Sequence, residues 1–307
     1  MSDVFLVSCD LIEELKLDTE TALLKEALAK RGIRTKLVTW EDDSVKWGEA
    51  TLAINRVVSS YVFNPEKFIE WSKKVEKNTT LWNSSQVIEW NIHKKYLIEL
   101  FDSGVPVPEL HFIPKNTSKN IAEILDEFPF DDFVLKPCVC NGSIGLRRFQ
   151  PDSTELESHF RNLIKNGYQQ DFEFTDRVFE YPPGDILIQR YVPEIKTHGE
   201  ASLFYFGGGF SHAVLKKPKS GDFRAHTIWG AAVDRYIPST KEIEVGLDSL
   251  KIVGHPIEFA RIDMIPTKPI PLIIEVELID PFFFFEFAAG TVDLYADHVQ
   301  NFLRERQ

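Results

Sequence analysis

Apolar and polar positions along the N-terminal third fall into blocks that predict alternating strands and helices. Short apolar runs at 4–8, 36–40 and 51–55 have the length and composition of buried strands. Residues 19–31 have an apolar stripe at helical spacing (Ala22, Leu23, Ala27, Leu28) and end at Gly32. Pro65 stands at the first position of a helix over 64–77. This β-α-β alternation predicts a small parallel sheet.

The middle and C-terminal parts mix strands and helices in an order that predicts further sheets. Ser239 and Glu242 fit the capping box of a helix that ends near Val253, and the glycines from Gly207 to Gly209 fit the turn of a hairpin. Residues 151–184 predict a helix followed by a polar insert. The other predicted elements are helices over 91–103, 118–128 (capped by Ser118) and 284–303, and strands over 132–137, 146–149, 186–191, 201–206 and 210–216.

Composition narrows the class of protein. The 307 residues, 43% of them hydrophobic, predict a globular chain of two or three lobes. A formal net charge of −12 argues against nucleic acid or an anionic membrane as a partner. Three cysteines without a CxxC pair predict neither a disulfide framework nor a zinc site. Because no apolar run reaches the length of a membrane span and the N-terminus lacks a basic signal-peptide start, we expect a cytoplasmic location.

The segment 259–281, FARIDMIPTKPIPLIIEVELIDP, predicts a charged hairpin. Two strands flank a Pro-rich turn at 266–271. Strand side chains alternate between faces, so Arg261 and Asp263 share one face of the first strand, and Glu275 and Glu277 share one face of the second. If the strands pair, three carboxylates converge on one patch.

Three clustered carboxylates repel one another unless a cation lies between them. All-oxygen ligation favours Mg²⁺ or Mn²⁺, and Mg²⁺ usually takes one or two carboxylates and completes its shell with phosphate oxygens and water. The patch therefore predicts a nucleoside triphosphate nearby. The alternative is a solvent-facing hairpin with scattered charges, against which the flanking apolar runs argue.

Lys136 ends an apolar strand and precedes the loop CVCNGSIG. Gly142 and Gly145 let backbone N–H groups approach a phosphate, and Arg147 and Arg148 add positive charge. A lysine at a strand end can equally be solvated.

The apolar segment 186–192, ILIQRYV, has the composition of a wall for an adenine ring, with Ile188 and Tyr191 as apolar contacts. Glu194 and Glu200 are candidates for the ribose hydroxyls. The competing interpretation is a core strand with surface acids.

Lys216, Arg224 and Arg261 place positive charge in the part of the chain that also holds the carboxylates. In an acidic protein this combination indicates phosphate and metal. Arg224 lies in the polar loop SGDFRAH, which is suited to close on a substrate. His226 in the same loop is either a base or a solvated side chain.

Taken in order, four segments between residues 82 and 281 resemble the ATP-grasp superfamily, and most closely its glutathione synthetase-like branch and the cycloserine-forming ligases. The resemblance implies an α/β (α+β) ATP-grasp fold with a Rossmann-like domain over 1–90, a small lid subdomain over 91–191 and a C-terminal subdomain with the metal site over 192–307. The segments are WNSSQVIEWNIHKKYLIELFDSGVPVPEL, FVLKPCVCNGSIGLRRF, ILIQRYVPEIKTHGEASLFYFGGGFSHAVLKKPKSGDFRAH and the hairpin FARIDMIPTKPIPLIIEVELIDP.

The resemblance also implies site residues, with ATP and Mg²⁺ (or Mn²⁺) as cofactors. Glu277 departs from many relatives, which have Asn there. The implied nucleotide contacts are Lys94 and Lys136, the phosphate loop (Asn141, Gly142, Ser143, Gly145), the adenine hinge (Gln189, Tyr191, Val192) and a ribose acid (Glu194 or Glu200). The others are the catalytic cations Lys216, Arg224 and Arg261, the metal ligands Asp263, Glu275 and Glu277, and the substrate residues Arg56 and Tyr61.

The implied reaction joins a small-molecule carboxylate to an amine through an acyl phosphate, with ATP giving ADP and phosphate. Two alternatives remain open: a kinase on the same fold, and a non-catalytic nucleotide-binding protein. Retention of both lysines and all three acids argues against the second. Relatives are often dimers or tetramers, but the sequence does not fix the oligomeric state of this chain. The sequence does not identify the acyl donor or the nucleophile.

Overall fold

The computed structural model describes residues 3–172 and 175–306, which form three sheets of four or five strands and one two-stranded hairpin. The strands are β1 (Val4–Ser8), β2 (Thr35–Thr39), β3 (Leu52–Val57), β4 (Thr80–Trp82), β5 (Leu110–Ile113), β6 (Phe133–Pro137), β7 (Arg147–Phe149), β8 (Tyr168–Phe172), β9 (Thr175–Tyr181), β10 (Ile186–Arg190), β11 (Glu200–Phe206), β12 (Gly209–Lys217), β13 (Ala232–Tyr236), β14 (Phe259–Ile265) and β15 (Leu272–Glu277). The helices are α1 (Asp10–Leu15), α2 (Thr21–Lys30), α3 (Pro65–Glu76), α4 (Ser85–Asn91), α5 (Tyr96–Asp102), α6 (Ile121–Glu127), α7 (Leu156–Arg161), α8 (Ile195–His198), α9 (Thr240–Ile252) and α10 (Thr291–Arg304).

The N-terminal sheet has the order β2-β1-β3-β4, with every neighbour parallel. The predicted small parallel sheet is therefore confirmed. The Asn64 side chain accepts a hydrogen bond from the backbone N–H of Lys67 and caps α3. In α2, the buried face uses Leu24 and Leu28, whereas Leu23, expected on the apolar stripe, is 43% exposed.

The helix predicted over 91–103 is confirmed as α5 over 96–102, but its predicted start is wrong, because α4 ends at Asn91 and a break over 92–95 separates the two helices. The Asn91 side chain donates to the Val276 carbonyl and accepts from the Leu278 N–H, which fixes the end of α4 against β15. In the break, the Lys94 N–H donates to the Cys138 carbonyl instead of continuing a helix. Tertiary hydrogen bonds thus override the helical pattern.

Two predicted helix starts also differ from the structure. Asn120, and not Ser118, caps α6, with Glu123 completing the capping box. The last helix begins at Thr291 and not at 284, because Phe284 and Gly290 both have positive φ, at 54° and 84°, which a right-handed helix excludes.

The central sheet has the order β5-β10-β6-β7, and the C-terminal sheet has the order β13-β12-β11-β14-β15. The predicted hairpins β11–β12 and β14–β15 are both confirmed as antiparallel pairs. In the 151–184 segment, helix α7 is followed by the hairpin β8–β9. The capping box at Ser239 and Glu242 is confirmed at the start of α9.

Elements from both ends of the chain pack together. Arg31 at the end of α2 lies 3.0 Å from Asp293 and 2.7 Å from Asp297 of α10. The domain limits predicted from the sequence (1–90, 91–191 and 192–307) remain a proposal, although each sheet lies within one of these ranges. No helix in residues 3–172 and 175–306 combines the length and apolar character needed to cross a membrane.

Candidate active site

Three carboxylates converge on the hairpin β14–β15. The strand register sets Arg261 opposite Glu277 and Asp263 opposite Glu275. One carboxylate oxygen from each of Asp263, Glu275 and Glu277 lies within 4.8 Å of the others. The convergence predicted from strand alternation is therefore present in the structure.

Hydrogen bonds from the first half of the chain position this hairpin, although β15 is an edge strand. The Tyr96 hydroxyl accepts from the Val276 N–H at 3.0 Å, and Asn91 pairs with both neighbouring backbone groups of β15. The buried Asn83 side chain donates to the carbonyls of Phe259 and Leu278. These contacts satisfy the open edge and fix the direction in which the acids point.

Each acid of the hairpin has a buried cationic partner. Arg261 contacts both Asp263, at 2.9 Å, and Glu277. Lys216 lies 3.3 Å from Asp263 and also contacts Glu200.

Lys94, held in the break between α4 and α5, completes this arrangement. Its Nζ atom lies 2.6 Å from Glu275 and donates to the Cys140 carbonyl at 3.0 Å. Sequence positions more than 180 residues apart therefore meet at one charge cluster.

The cluster distributes protons unevenly among its acids. Burial alone would raise the pKa of Asp263, but Arg261 and Lys216 outweigh burial and hold that pKa below its usual value. Burial raises the pKa of Glu277 to about 8, even though Arg261 opposes the shift. The pKa values of the two acids therefore shift in opposite directions, that of Asp263 downward and that of Glu277 upward.

The residues present fit a hard divalent cation. The donor set is all carboxylate oxygen, which Mg²⁺ and Mn²⁺ prefer. Counted with Glu200, which contacts Lys216, the cluster has four carboxylates against the three cationic side chains named above, so negative charge remains for a cation to balance.

A narrow cavity of about 90 Å³ lies between the central and C-terminal sheets. Lys136 on its wall donates to the Gln189 amide oxygen at 2.9 Å and to the Ile274 carbonyl at 3.4 Å. Burial lowers the pKa of Lys136 to about 8. Predicted nucleotide residues that line this cavity are Lys94, Lys136, Asn141, Ser143, Gln189, Tyr191, Val192 and Glu200.

The structure separates the two candidate ribose acids. Glu200 is buried, lines the narrow cavity and contacts Lys216, and burial raises its pKa to about 7. Glu194 is half-buried at the start of α8 and lies off the cavity wall.

In the predicted adenine hinge, some polar groups form hydrogen bonds within the protein. The Tyr191 N–H donates to the Asp132 carbonyl at 3.0 Å, and the Tyr191 ring lies 3.9 Å from the Arg148 guanidinium. The Gln189 amide oxygen accepts a hydrogen bond from Lys136. In this conformation the side chains of the hinge therefore form part of the cavity wall.

The predicted phosphate loop is held between two other segments. The Asn141 side chain donates to the Ser59 carbonyl at 3.0 Å, and the Trp229 indole N–H donates to the Gly142 carbonyl at 2.8 Å. Gly142, Ser143 and Gly145 all have positive φ, from 56° to 74°, which lets the loop turn sharply.

Arg224 lies on the wall of the narrow cavity but points toward its own loop. Its guanidinium is 2.7 Å from Asp222 and 3.6 Å from the ring centre of Trp229. Among the described residues its ion pair is with Asp222, so the structure does not bring Arg224 to the three carboxylates.

A larger cavity of about 570 Å³ extends from the carboxylates toward the N-terminal sheet. Tyr61 lines it, as do Lys216, Arg261 and the half-buried His226. Burial lowers the pKa of His226 to about 3, and Lys216 and Arg261 add to the shift, so its imidazole is neutral.

Arg56, the second predicted substrate residue, is not on the wall of this cavity. It is 1% exposed, 3.6 Å from Glu20 and 4.6 Å from the ring centre of Phe283. The structure thus places Arg56 in the core behind the cavity.

Sequence reasoning missed much of this wall. Asp280 and the aromatic residues that follow it line the cavity beside Phe63 and Leu17. The run LIDPFFFFEF directly after the third acid was the available signal, because an acid within a strongly apolar stretch needs a reason to be there.

Comparison with solved structures identifies the fold. The ATP-grasp ligase PsnB, solved with Mg and ADP, matches with a TM-score of 0.64 at 14% identity over 98% of this chain and 99% of that chain. The D-alanine–D-alanine ligase of Bacillus anthracis, solved with ATP, matches with a TM-score of 0.70 at 14% identity over the full length of both chains. The chain therefore has the ATP-grasp fold, as the sequence predicted.

A more specific similarity is to D-cycloserine synthetase DcsG. Its crystal structure matches with a TM-score of 0.82 at 22% identity over 98% of this chain and 99% of that chain. Residues 4–83 match the family model described as D-cycloserine synthetase DcsG, N-terminal domain. The cycloserine biosynthesis protein DcsG of Streptomyces lavendulae is 27% identical over 206 residues, which span 66% of this chain and 64% of that relative. The expected resemblance to cycloserine-forming ligases is confirmed.

Proposed function

We propose that this protein is an ATP-dependent carboxylate–amine ligase that forms an amide or peptide-like bond. The observation that carries the proposal is the convergence of Asp263, Glu275 and Glu277 with the buried cations Lys94, Lys216 and Arg261. These charged residues lie where the narrow cavity meets the larger cavity, and Lys94 and Glu275 line both cavities. The similarity to DcsG and to a D-alanine–D-alanine ligase supports the same reaction class.

The reaction has two steps in this proposal. A carboxylate oxygen of the first substrate attacks the γ-phosphorus of ATP, the bond to the bridging oxygen breaks, and ADP leaves. An amine then attacks the acyl carbon, inorganic phosphate leaves, and the amine gives up a proton as the amide forms. The chain mainly positions the reactants and screens charge.

Individual residues have distinct proposed roles. Lys94 and Lys136 bind phosphate oxygens, and Lys216 and Arg261 stabilise negative charge at the γ-phosphate and the acyl group. Gln189, Tyr191 and Val192 contact the adenine, and the position of Glu200 on the cavity wall favours it over Glu194 for the ribose. Arg224 reaches phosphate after exchanging its pairing with Asp222.

The metal ligands in this proposal are Asp263, Glu275 and Glu277. Bound Mg²⁺ or Mn²⁺ would neutralise phosphate charge and polarise the γ-phosphoryl group. Because the pKa of Glu277 is raised, metal binding would be favoured by conditions in which this carboxyl group is ionised.

The phosphate loop excludes water in this proposal. Contacts from Asn141 to Ser59 and from Trp229 to Gly142 close the loop over the reaction centre. A closed loop protects an acyl phosphate from hydrolysis. We also retain the cytoplasmic location expected from the sequence, and light scattering would determine whether the chain forms a homodimer or a tetramer.

The proposal is tested by incubating the protein with ATP, Mg²⁺ and a panel of carboxylic acids and amino acids, with hydroxylamine as a trap. Acid-dependent hydroxamate, formed in equal amount to ADP and phosphate, is the expected result. ADP without phosphate or hydroxamate, formed with a hydroxylated compound, would instead establish a kinase. ATP binding without turnover across the panel would contradict the ligase.

A further inference from the structure

We propose that the carboxylate substrate carries both a large apolar group and a protonated amine, with the amine bound by Asp280. The inference rests on the ligase function proposed above and names the substrate class of that same site. It follows from two features of the larger cavity, namely its apolar walls and one acid without a cationic partner.

The apolar walls come from segments that are far apart in the sequence. The cavity of about 570 Å³ is within the range of pockets that bind drug-sized molecules. A small polar substrate would leave most of this apolar surface in contact with water, whereas a large apolar group would displace that water. The wall includes Leu17, Phe63, Ile144, Phe179, Phe284 and Phe287.

The same cavity ends at the charge cluster. Lys216, Arg261 and Glu275 form part of its wall. If the substrate carboxylate reaches the reaction centre through this cavity, the rest of the substrate contacts the apolar walls. The nucleotide does not contact them. The apolar walls therefore face a substrate and not ATP, and the test below asks whether that substrate is the acyl donor.

Asp280 provides the second feature. Its Oδ2 atom accepts hydrogen bonds from the Val58 N–H and the Ser59 hydroxyl, both at 3.1 Å. Within residues 3–172 and 175–306, the Oδ1 atom accepts no hydrogen bond, and no Lys, Arg or His nitrogen lies within 4.0 Å of this carboxylate. The two nearby guanidiniums are already paired, Arg56 with Glu20 and Arg261 with the hairpin acids.

A carboxylate in such surroundings favours a cationic ligand. Burial raises the pKa of Asp280 to about 7, which reflects the cost of charge at this position without a partner. A substrate ammonium group would supply the missing cation and donate hydrogen bonds to the open oxygen. Asp280 is thereby a substrate-binding residue, and it also connects its own segment to residues 58–59 by hydrogen bonds.

The test uses four matched acids that vary the two features independently: phenylalanine, 3-phenylpropionate, alanine and propionate, with both enantiomers of the amino acids. Hydroxamate formation gives kcat/KM, and calorimetry with a non-hydrolysable ATP analogue gives affinity. We expect one phenylalanine enantiomer to exceed 3-phenylpropionate and alanine by about tenfold or more in both measurements, the size of effect known for single polar or apolar contacts.

The two proposals fail differently in this experiment. Higher affinity and turnover for alanine or propionate would overturn the substrate class and leave the ligase intact. Binding in the expected order without any hydroxamate would overturn the ligase and leave the substrate class intact. Neither binding nor turnover of any acid would overturn both.

One substitution separates the proposed binding role of Asp280 from a purely structural role. Asp280→Asn keeps an oxygen acceptor for Val58 and Ser59 but removes the charge. We expect it to remove the preference for phenylalanine over 3-phenylpropionate while turnover of 3-phenylpropionate stays within about twofold of wild type. An equal loss with both acids would show that Asp280 is only structural.

Leu17 and Leu37 offer a matched pair for the apolar wall. Both leucines are 39% exposed, but Leu17 lines the larger cavity and Leu37 lies on β2 outside it. We expect Leu17→Gln to lower kcat/KM for phenylalanine about fivefold and to leave alanine unchanged, and Leu37→Gln to change neither. Equal effects of the two substitutions would contradict the assignment of the wall.

Discussion

The narrow cavity and the larger cavity, which share Lys94 and Glu275, are built in different ways. The narrow cavity takes its walls from strand ends and short motifs, such as Lys136 at the end of β6 and Gln189 on β10. The larger cavity is assembled from side chains of α1, the segment after β3, the β8–β9 hairpin and the aromatic segment 282–287. The comparison teaches that the proposed nucleotide contacts lie on regular elements, whereas the proposed substrate contacts come from segments that only the fold brings together. The predictions below test this division.

The largest effect is expected at the charge cluster that both cavities share. Glu275→Gln removes one proposed metal ligand and leaves Lys94 without an ionised partner, so turnover should fall at least about a hundredfold with every acid. Circular dichroism should show an intact fold. Glu258→Gln, which removes a carboxylate paired with His298 away from the site, serves as the control. Turnover like that of wild type in folded Glu275→Gln would remove the metal assignment.

The next effect is expected in the narrow cavity alone. Lys136→Ala removes the buried ammonium group, so the KM for ATP should rise about ten- to a hundredfold while the relative rates of different acids stay the same. Lys251→Ala, which removes an exposed lysine paired with Asp248, should change neither value. An unchanged apparent affinity for ATP would take Lys136 out of the nucleotide site.

Lys136 also predicts the pH dependence of nucleotide binding. Burial lowers its pKa to about 8, so the free protein loses this positive charge as the pH rises through 8. Wild-type affinity for ATP should fall about fivefold between pH 8 and pH 9, and Lys136→Ala should lack this component. Calorimetry at several pH values provides the measurement, and parallel curves for the two proteins would contradict the assignment.

The lowered pKa of Lys136 has the opposite effect on the stability of the fold, which rises with pH. Between about 8 and the ordinary lysine value of 10.5, the unfolded chain holds a proton that the folded chain has lost. The contribution of Lys136 to the free energy of unfolding therefore rises with pH across this window.

The smallest effect is expected where the loops of the two cavities meet. Trp229→Phe removes the indole hydrogen bond to the Gly142 carbonyl and keeps an aromatic ring beside Arg224. Looser closure should admit water, so the ADP formed per hydroxamate should rise by about half. Trp90→Phe removes an indole hydrogen bond of the same 2.8 Å length, to Glu99, and should leave the ratio unchanged. Equal ratios in both variants would show that this contact does not control closure.

The hairpin could be predicted from the sequence because its physics is local. Alternation along β14 and β15 determines which side chains share a face, and the Pro-rich turn forces the strands to pair. The capping box at Ser239 and Glu242 is local in the same sense. The ATP-grasp fold was accessible for a different reason, namely the order of its motifs.

Other features could not be predicted because long-range contacts decide them. The break that holds Lys94 depends on hydrogen bonds from Asn91 to β15, about 185 residues later, which no local pattern encodes. Arg56 has the residue type of a substrate contact but is buried beside Glu20 and Phe283. The proposed role of Asp280 depends on the 58–59 segment, which only the fold places beside it.

The central claim is that the substrate carboxylate attacks ATP and becomes an acyl phosphate. The most direct test uses an accepted acid with ¹⁸O in both carboxylate oxygens and follows phosphate release by mass spectrometry during amide or hydroxamate formation. Transfer of one ¹⁸O atom to each phosphate released is the predicted result, because the attacking oxygen leaves with the phosphoryl group. Product formation with unlabelled phosphate would contradict the acyl phosphate.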